Sequence, residues 1–230
     1  MKTTGGTDEQ KRRAALAAVE SVEDGMVVGL GTGSTTAFAI RKLGDLVGSG
    51  LDIRGVPTSF AARELAREAG IPLASLDEIS AIDLAIDGAD QVATSDGALV
   101  KGGGAAHARE KIVDAFADEF HVVADPSKLA ETLSHSIPVE VLPTARTTVS
   151  AAVSDLGGDP VLRRAERKDG PVVTDNGNLV LDCDFGEISD SESLATALSA
   201  IPGVVEHGIF VGLADVVYVG TADGVDVVEF

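Results

Sequence analysis

Residues 26–36 read Met-Val-Val-Gly-Leu-Gly-Thr-Gly-Ser-Thr-Thr, and the order of these eleven residues decides the fold. Residues 26–30 form an apolar run with the length and branched side chains of a buried strand. Gly31 and Gly33 break it with a turn. A helical pattern follows over residues 37–46. A strand passed by a short glycine turn into a helix is the opening of a parallel α/β unit. The turn also points to a chemistry. Glycine lets backbone N–H groups approach an anion, and the hydroxyls of Thr32, Ser34 and Thr35 add donors, so the segment reads as a cradle for a terminal phosphate. It is not a dinucleotide fingerprint, because Ser34 stands where the third glycine after Gly29 and Gly31 belongs. Nor is it a P-loop, because no lysine follows the glycines. The plain alternative is a Ser/Thr helix cap after a glycine turn.

Working outward, the same alternation continues. Residues 7–22 have helical spacing, with Ala14, Ala15, Ala18, Val19 and Val22 on one side and a cationic cluster at Lys11, Arg12 and Arg13. Arg12 and Arg13 read as a solvated helix face. Residues 52–56 and 80–86 read as strands, 59–69 as a helix stopped by Gly70, and 120–124 as a further strand. Strands alternating with helices imply a parallel sheet covered on both faces. Ligands of such sheets bind beyond the carboxyl ends of the strands. The residues there are 32–35, 87–90, 101–104 and 125–128, and all four groups are polar or bare backbone.

Residues 87–111 are the richest in chemistry: DGADQVATSDGALVKGGGAAHAREK. Asp87, Asp90, Lys101 and Glu110 fall beside Gly102, Gly103 and Gly104. The three glycines are expected to open a helix whose free N–H groups face a developing oxyanion. On a helical wheel Glu110 faces away from the Ala108, Ile112, Ala115 and Phe116 stripe. That placement fits a solvated surface acid as well as a base. Asp-Gly and Gly-Gly are also ordinary turn material.

From about Ser134 the pattern changes. Strand-like segments at 139–142, 161–164, 172–174, 179–183 and 204–211 alternate with helices at 144–156 and 191–200, and Asp175-Asn176-Gly177-Asn178 is a hairpin turn signal. This βαββαβ order suits a small ferredoxin-like α+β domain. Residues 215–219 and 225–228 return as two strands to the first sheet. The expected fold is therefore α/β, with the first domain at 1–133 and 208–230 and the smaller one at 134–207.

The composition excludes whole classes of partner. The net charge is −19 over 230 residues with a pI near 4.4, which repels nucleic acid and anionic membranes. No apolar run reaches transmembrane length, and the polar N-terminus lacks a signal-peptide core, so a cytoplasmic protein is expected. Cys183 is the one cysteine, which rules out an internal disulfide and reads as a core residue of a strand. Aromatic residues are 3% of the chain, so the core must be aliphatic. The dispersed acids read as a hydrated surface suited to a high-salt cytoplasm.

Taken in order, GLGTGSTT at 29–36, DGAD at 87–90, KGGGAA with ARE at 101–110, ADPSK at 124–128, PVEVLPTAR at 138–146, VVTDNGN at 172–178 and IPGVV at 201–205 resemble the ribose-5-phosphate isomerase family of the A type. The resemblance implies interconversion of ribose 5-phosphate and ribulose 5-phosphate with no metal or organic cofactor. It implies a Rossmann-like domain, a ferredoxin-like domain, and a homodimer or homotetramer. By motif position the family's general base falls on Glu110, and its other active-site residues on Asp87, Asp90 and Lys101. Its phosphate contacts fall on Lys11, Ser34, Thr35 and Lys128, and Thr32, Gly33, Gly102, Gly103 and Gly104 complete the expected substrate-binding set. His107-Ala108 departs from many relatives, and His107 is expected on the helix surface. The segment 210–215 looks shorter than in some relatives. Three rivals stand against this reading: a metal enzyme using Asp87, Asp90 and Asp125, a non-catalytic sugar-phosphate sensor, and an amino-sugar-phosphate isomerase or deaminase.

Overall fold

The structure is a computed structural model and describes residues 5–230. In chain order its elements are α1 (Asp8–Val19), β1 (Val27–Leu30), α2 (Thr36–Gly48), β2 (Arg54–Pro57), α3 (Phe60–Glu68), β3 (Ile82–Gly88), β4 (Gln91–Ala93) and β5 (Leu99–Val100). There follow α4 (His107–Phe116), β6 (Ala117–Ala124), β7 (Leu129–Ala130), β8 (Ile137–Val141), α5 (Arg146–Asp155) and β9 (Asp159–Leu162). The chain ends with β10 (Leu179–Asp184), α6 (Ser191–Ser199), β11 (Val204–His207), β12 (Ile209–Phe210), β13 (Val216–Gly220) and β14 (Val225–Glu229).

The first unit is built on a six-stranded sheet in the order β14-β13-β6-β3-β1-β2. β1 pairs parallel with β2 on one side and β3 on the other, and β3, β6 and β13 continue in parallel. β14 closes one edge antiparallel to β13. The chain thus leaves β1 in one direction to reach β2 and in the other through β3. The switch point lies between the carboxyl ends of β1 and β3, which is where doubly wound sheets bind ligands. Small residues set the helix spacing. α1 turns Ala14, Ala15 and Ala18 inward, and a Cβ on Gly220 would lie 1.8 Å from the Gln10 carbonyl. Thr7 caps α1 reciprocally with Gln10. Arg13 is not merely solvated, because it pairs with Glu9 and donates to the carbonyls of Thr221 and Ala222.

The second unit holds an antiparallel sheet in the order β11-β8-β10-β9, with α5 and α6 as crossovers. That order and connectivity are ferredoxin-like. Ile137, Val139, Val141, Leu181 and Cys183 pack with Val149, Val153 and Leu198 of the helices. A further sheet, β12-β5-β4-β7, belongs to no expectation from the sequence. Its strands have two or three residues each, too few to display alternation. The single strand expected at 204–211 is cut by Gly208, whose N–H donates to Pro138 O (2.7 Å) and whose carbonyl accepts from Lys101 N–H (2.8 Å). Gly208 therefore passes the chain from one antiparallel sheet to the other.

The compact units differ from the expected division. Asp90–Ala108 and Ala130–Gly212 cluster together, while the described residues up to Ala89 cluster with Arg109–Leu129 and Leu213–Phe230. Residues 90–108, 130–133 and 208–212 thus lie with the antiparallel sheets.

Candidate active site

Asp87 is the last buried residue of β3, with no exposed surface. Its Oδ1 accepts the N–H groups of Thr32 (3.1 Å) and Gly88 (2.6 Å). Gly31 donates to Ile86 O at 3.0 Å, and a Cβ on Gly31 would stand 2.1 Å from Asp87 Oδ1. The glycine turn after β1 is thus shaped around this carboxylate at the switch point. Thr32 is committed inside the protein as well. Its hydroxyl meets Thr58 Oγ1 at 2.8 Å and donates to Ser59 Oγ at 2.7 Å. The plain capping reading of the turn is not what forms. Thr35 occupies the N-cap of α2 without a side-chain cap bond, and Ser34 is exposed. Gly33 (φ +151°) accepts from the Thr36 hydroxyl and the Ala37 N–H.

Glu110 lies in the first turn of α4 and is 4% exposed. The wheel reading of α4 is overturned. Ile112 and Phe116, expected on the inward stripe, are 55% and 45% exposed, whereas Val113 and Asp114 are buried with Glu110. A Cβ on Gly29 of β1 would meet Val113 Cγ1 at 2.6 Å, so that glycine lets α4 press its Glu110–Val113 face onto the sheet.

Lys11 of α1 and Lys128 after β6 are both half-buried. Lys128 ends a short 3₁₀ turn that begins at Asp125. Asp125 Oδ1 accepts the Ser127 N–H (3.0 Å) and hydroxyl, while Oδ2 is buried with no hydrogen-bond partner among the described residues. Gly5 and Gly6 lie against this pair, and a Cβ on Gly6 would stand 2.3 Å from Asp125 Cγ. Asp125 thus fixes the turn that carries Lys128.

The other unit holds Asp90, Lys101 and the glycine loop. Asp90 Oδ2 accepts the Gly103 N–H at 2.6 Å. Lys101 is 2% exposed, with Nζ 5.4 Å from the Phe210 ring centroid. The expectation that Gly102–Gly104 open a helix is corrected: α4 begins only at His107. The loop instead turns through left-handed backbone at Gly102 (φ +102°) and Ala105 (φ +60°), with Ala105 N–H bonded to Gly102 O. The Gly103 amide, expected to serve an oxyanion, serves Asp90. His107 is buried, not on the surface, with Nε2 3.3 Å from Glu206 O and its ring where a Gly102 Cβ would fall. Cys183 is buried as expected, and burial pushes its thiol up to about 12, so it is no nucleophile. Among the described residues no group of three or more His, Cys, Asp or Glu is placed to hold a metal ion.

A parallel sheet with a carboxylate held at its switch point, and a second unit of ferredoxin-like topology, define a Rossmann-like α/β class with its ligand position at that switch point. Comparison with known proteins narrows it. The family model described as Ribose 5-phosphate isomerase A (phosphoriboisomerase A) matches residues 54–224. A ribose-5-phosphate isomerase A from Halorubrum lacusprofundi is 68% identical, covering 99% of both chains. Among solved structures, that of ribose 5-phosphate isomerase A from Methanocaldococcus jannaschii superposes with TM-score 0.94 at 47% identity, covering 98% of this chain and 100% of the other. A D-ribose-5-phosphate isomerase in complex with phospho-erythronic acid gives TM-score 0.95 at 45% identity, with the same coverage. The chain belongs to the ribose-5-phosphate isomerase A family.

Sequence reasoning missed Arg163 and Asp182, which hold the glycine loop, and left Asp125 without a role beyond a metal site. Asp125 had a signal, its place in the ADPSK segment. Arg163 had none, because the Asp182 carboxylate and the Gly102 and Gly103 carbonyls meet it only in the fold.

Proposed function

We propose that this protein interconverts D-ribose 5-phosphate and D-ribulose 5-phosphate, with Glu110 moving the proton between C2 and C1. The observation that carries the assignment is the burial of Glu110. α4 turns an acid inward and leaves Ile112 and Phe116 in water. Burying those side chains would stabilise the fold by about 1.5–3 kcal/mol each, and burying a carboxylate costs several kcal/mol unless it is compensated. An acid turned inward on α4 supports the reading of Glu110 as the group that carries the proton.

The chemistry follows from the residues. The furanose ring opens first, when the anomeric O1 proton is taken and the ring oxygen is protonated. Asp87 is assigned this acid–base work, since its carboxylate is held in one orientation by the Thr32 and Gly88 amides. Glu110 then removes the C2 proton of the open aldose, forming the enediolate. The O2 hydroxyl proton then passes to O1, the same carboxyl returns its own proton to C1, and O2 becomes the ketone oxygen. Lys101 supplies the cation for the charge that develops on oxygen. Asp90 holds a substrate hydroxyl. Lys11, Lys128, Ser34 and Thr35 hold the phosphate, and Thr32 and Gly33 shape that turn. The solved relative containing phospho-erythronic acid, a phosphorylated sugar acid, supports this substrate class over free sugars and over amino sugars. Full-length identity to named isomerases favours an enzyme over a sensor. The reading extends to a cytoplasmic homodimer or homotetramer in the non-oxidative pentose phosphate pathway. Relatives from halophiles support the high-salt reading of its acidic surface.

The test is Glu110→Gln, which keeps shape but cannot take the proton. Turnover of ribose 5-phosphate is expected to fall by roughly two to four orders of magnitude with KM little changed. A folded variant with near-normal turnover would sink the assignment.

A further inference from the structure

Arg163 follows β9 directly and donates its own N–H to Val180 O at 2.9 Å, so its backbone is fixed to β10. Two edges of its guanidinium face different partners. Nε donates to Asp182 Oδ2 at 2.9 Å and Nη2 to Asp182 Oδ1, a fork that sets the plane of the group. The remaining nitrogen, Nη1, donates to Gly102 O at 2.8 Å and reaches Gly103 O at 3.4 Å. Asp182 lies on β10, and both partners are only 12% and 24% exposed in their side chains, so water screens the pair weakly.

The loop it holds lies outside regular secondary structure. Residues 101–106 form neither helix nor strand, and Gly102, Gly103 and Gly104 have no side chains to pack. In a trans peptide the C=O and N–H point in opposite directions, and the described chain has no cis peptide. Drawing Gly102 O toward Arg163 therefore drives the Gly103 N–H the other way, and that N–H is the one donated to Asp90 Oδ2 at 2.6 Å. The relay runs from Asp182 through Arg163 and the Gly102–Gly103 peptide to Asp90. Lys101, directly before the loop, is tied by its own N–H to Gly208 O at 2.8 Å.

We propose that Arg163, set by Asp182, is a positioning residue for the isomerase reaction: it orients the Gly102–Gly103 peptide and through it Asp90 and Lys101. The inference rests on the reading of Asp90 and Lys101 as active-site groups. Lysine cannot replace it fully, because an ammonium lacks the planar fork that binds Asp182 and a carbonyl together. The effect belongs on turnover, since a displacement of about 1 Å in a reacting constellation costs on the order of 100-fold. The phosphate contacts lie on other segments and should keep KM.

The experiment is steady-state kinetics on ribose 5-phosphate for Arg163→Met, Arg163→Lys and Asp182→Asn, with thermal midpoints for each and Lys101→Met as a control. Arg163→Met is expected to lower kcat by about 10–100-fold with KM within about threefold, and Arg163→Lys and Asp182→Asn to fall between it and the wild type. A folded Arg163→Met enzyme with kcat within about twofold of wild type, or a loss confined to KM, overturns the proposal. If Arg163→Met does not fold, the Lys and Asn variants decide it by the same criteria. A Lys101→Met enzyme with wild-type turnover would instead fail the underlying reading of the site.

Discussion

A single buried side chain, His121 of β6, gives the residue scale its clearest pH signature. The imidazole is 2% exposed, its Nε2 lies 3.1 Å from Glu119 Oε2, and its ring centroid is 5.3 Å from that of Tyr218. Burial lowers its pKa below the ordinary 6.5, and the carboxylates of Glu119 and Asp215 offset only part of that. The sign follows from where the proton binds. The unfolded chain takes it up near pH 6.5. The folded chain resists until a lower pH, so stability is intact above pH 6.5 and is lost as pH falls through the folded value. Each pH unit in that window costs at most about 1.4 kcal/mol, or up to about 3–6 °C in a chain of this size. The fall in midpoint between pH 7.5 and 5.5 should be smaller in His121→Gln than in wild type. Equal falls in the two proteins would contradict this role for His121.

At the scale of elements, glycines decide which segments can touch. Gly208 joins β11 to β12, and a Cβ there would lie 2.2 Å from Lys101 O and 2.8 Å from Pro138 Cδ. Neither neighbour is a flexible side-chain end. Gly208→Ala must displace Lys101 or part the two antiparallel sheets, at a cost of about 1–3 kcal/mol or more. On the proposed role of Lys101, turnover should drop with stability, because Lys101 moves with its backbone. Gly48→Ala is the matched control. It ends α2 with nothing within 4 Å of the added Cβ. Alanine there should leave the midpoint unchanged or raise it, by up to about 1 kcal/mol. A Gly208→Ala protein as stable and active as Gly48→Ala would refute the account of that junction. α4 shows the same scale from the other side. The side of α4 that carries Glu110 is buried, and the bare Gly29 leaves room there for Val113.

The whole molecule carries a charge of −19 on 230 residues. At 0.01 M salt the Debye length is about 30 Å, so acids repel one another across the molecule, and at 1 M it is about 3 Å, so only adjacent charges do. The reserve against that strain is modest, since Phe120 and Phe210 are the buried phenylalanines among the described residues. Thermal midpoint and assembly should both rise with KCl into the molar range. Turnover need not follow, because on the proposed role of Lys11 and Lys128 salt also screens them from the substrate phosphate. Thermal unfolding with sizing chromatography across a KCl series is the check. A midpoint that stays flat or falls would refute the high-salt reading and leave the isomerase reading untouched.

The sequence by itself determined whatever is encoded locally. The run 26–36 specified strand, turn and helix, since glycine, hydroxyl and branched residues have few alternatives at that spacing. The βαββαβ order announced a ferredoxin-like unit, and the motifs from GLGTGSTT to IPGVV marked the family. Periodicity could not reveal the direction in which α4 faces, because a helical wheel ranks sides by hydrophobicity and this helix buries its acids. Nor could it reveal sheets of two- and three-residue strands, which hold together only through partners remote in sequence. The commitment of Thr32 to Thr58 and Ser59, of the Gly103 amide to Asp90, and of Arg163 to the glycine-loop carbonyls were decided by tertiary structure alone. The physical reason is common to all three. A hydrogen bond between distant segments depends on where the backbone carries its donors and acceptors, and that is settled only when the sheets have formed.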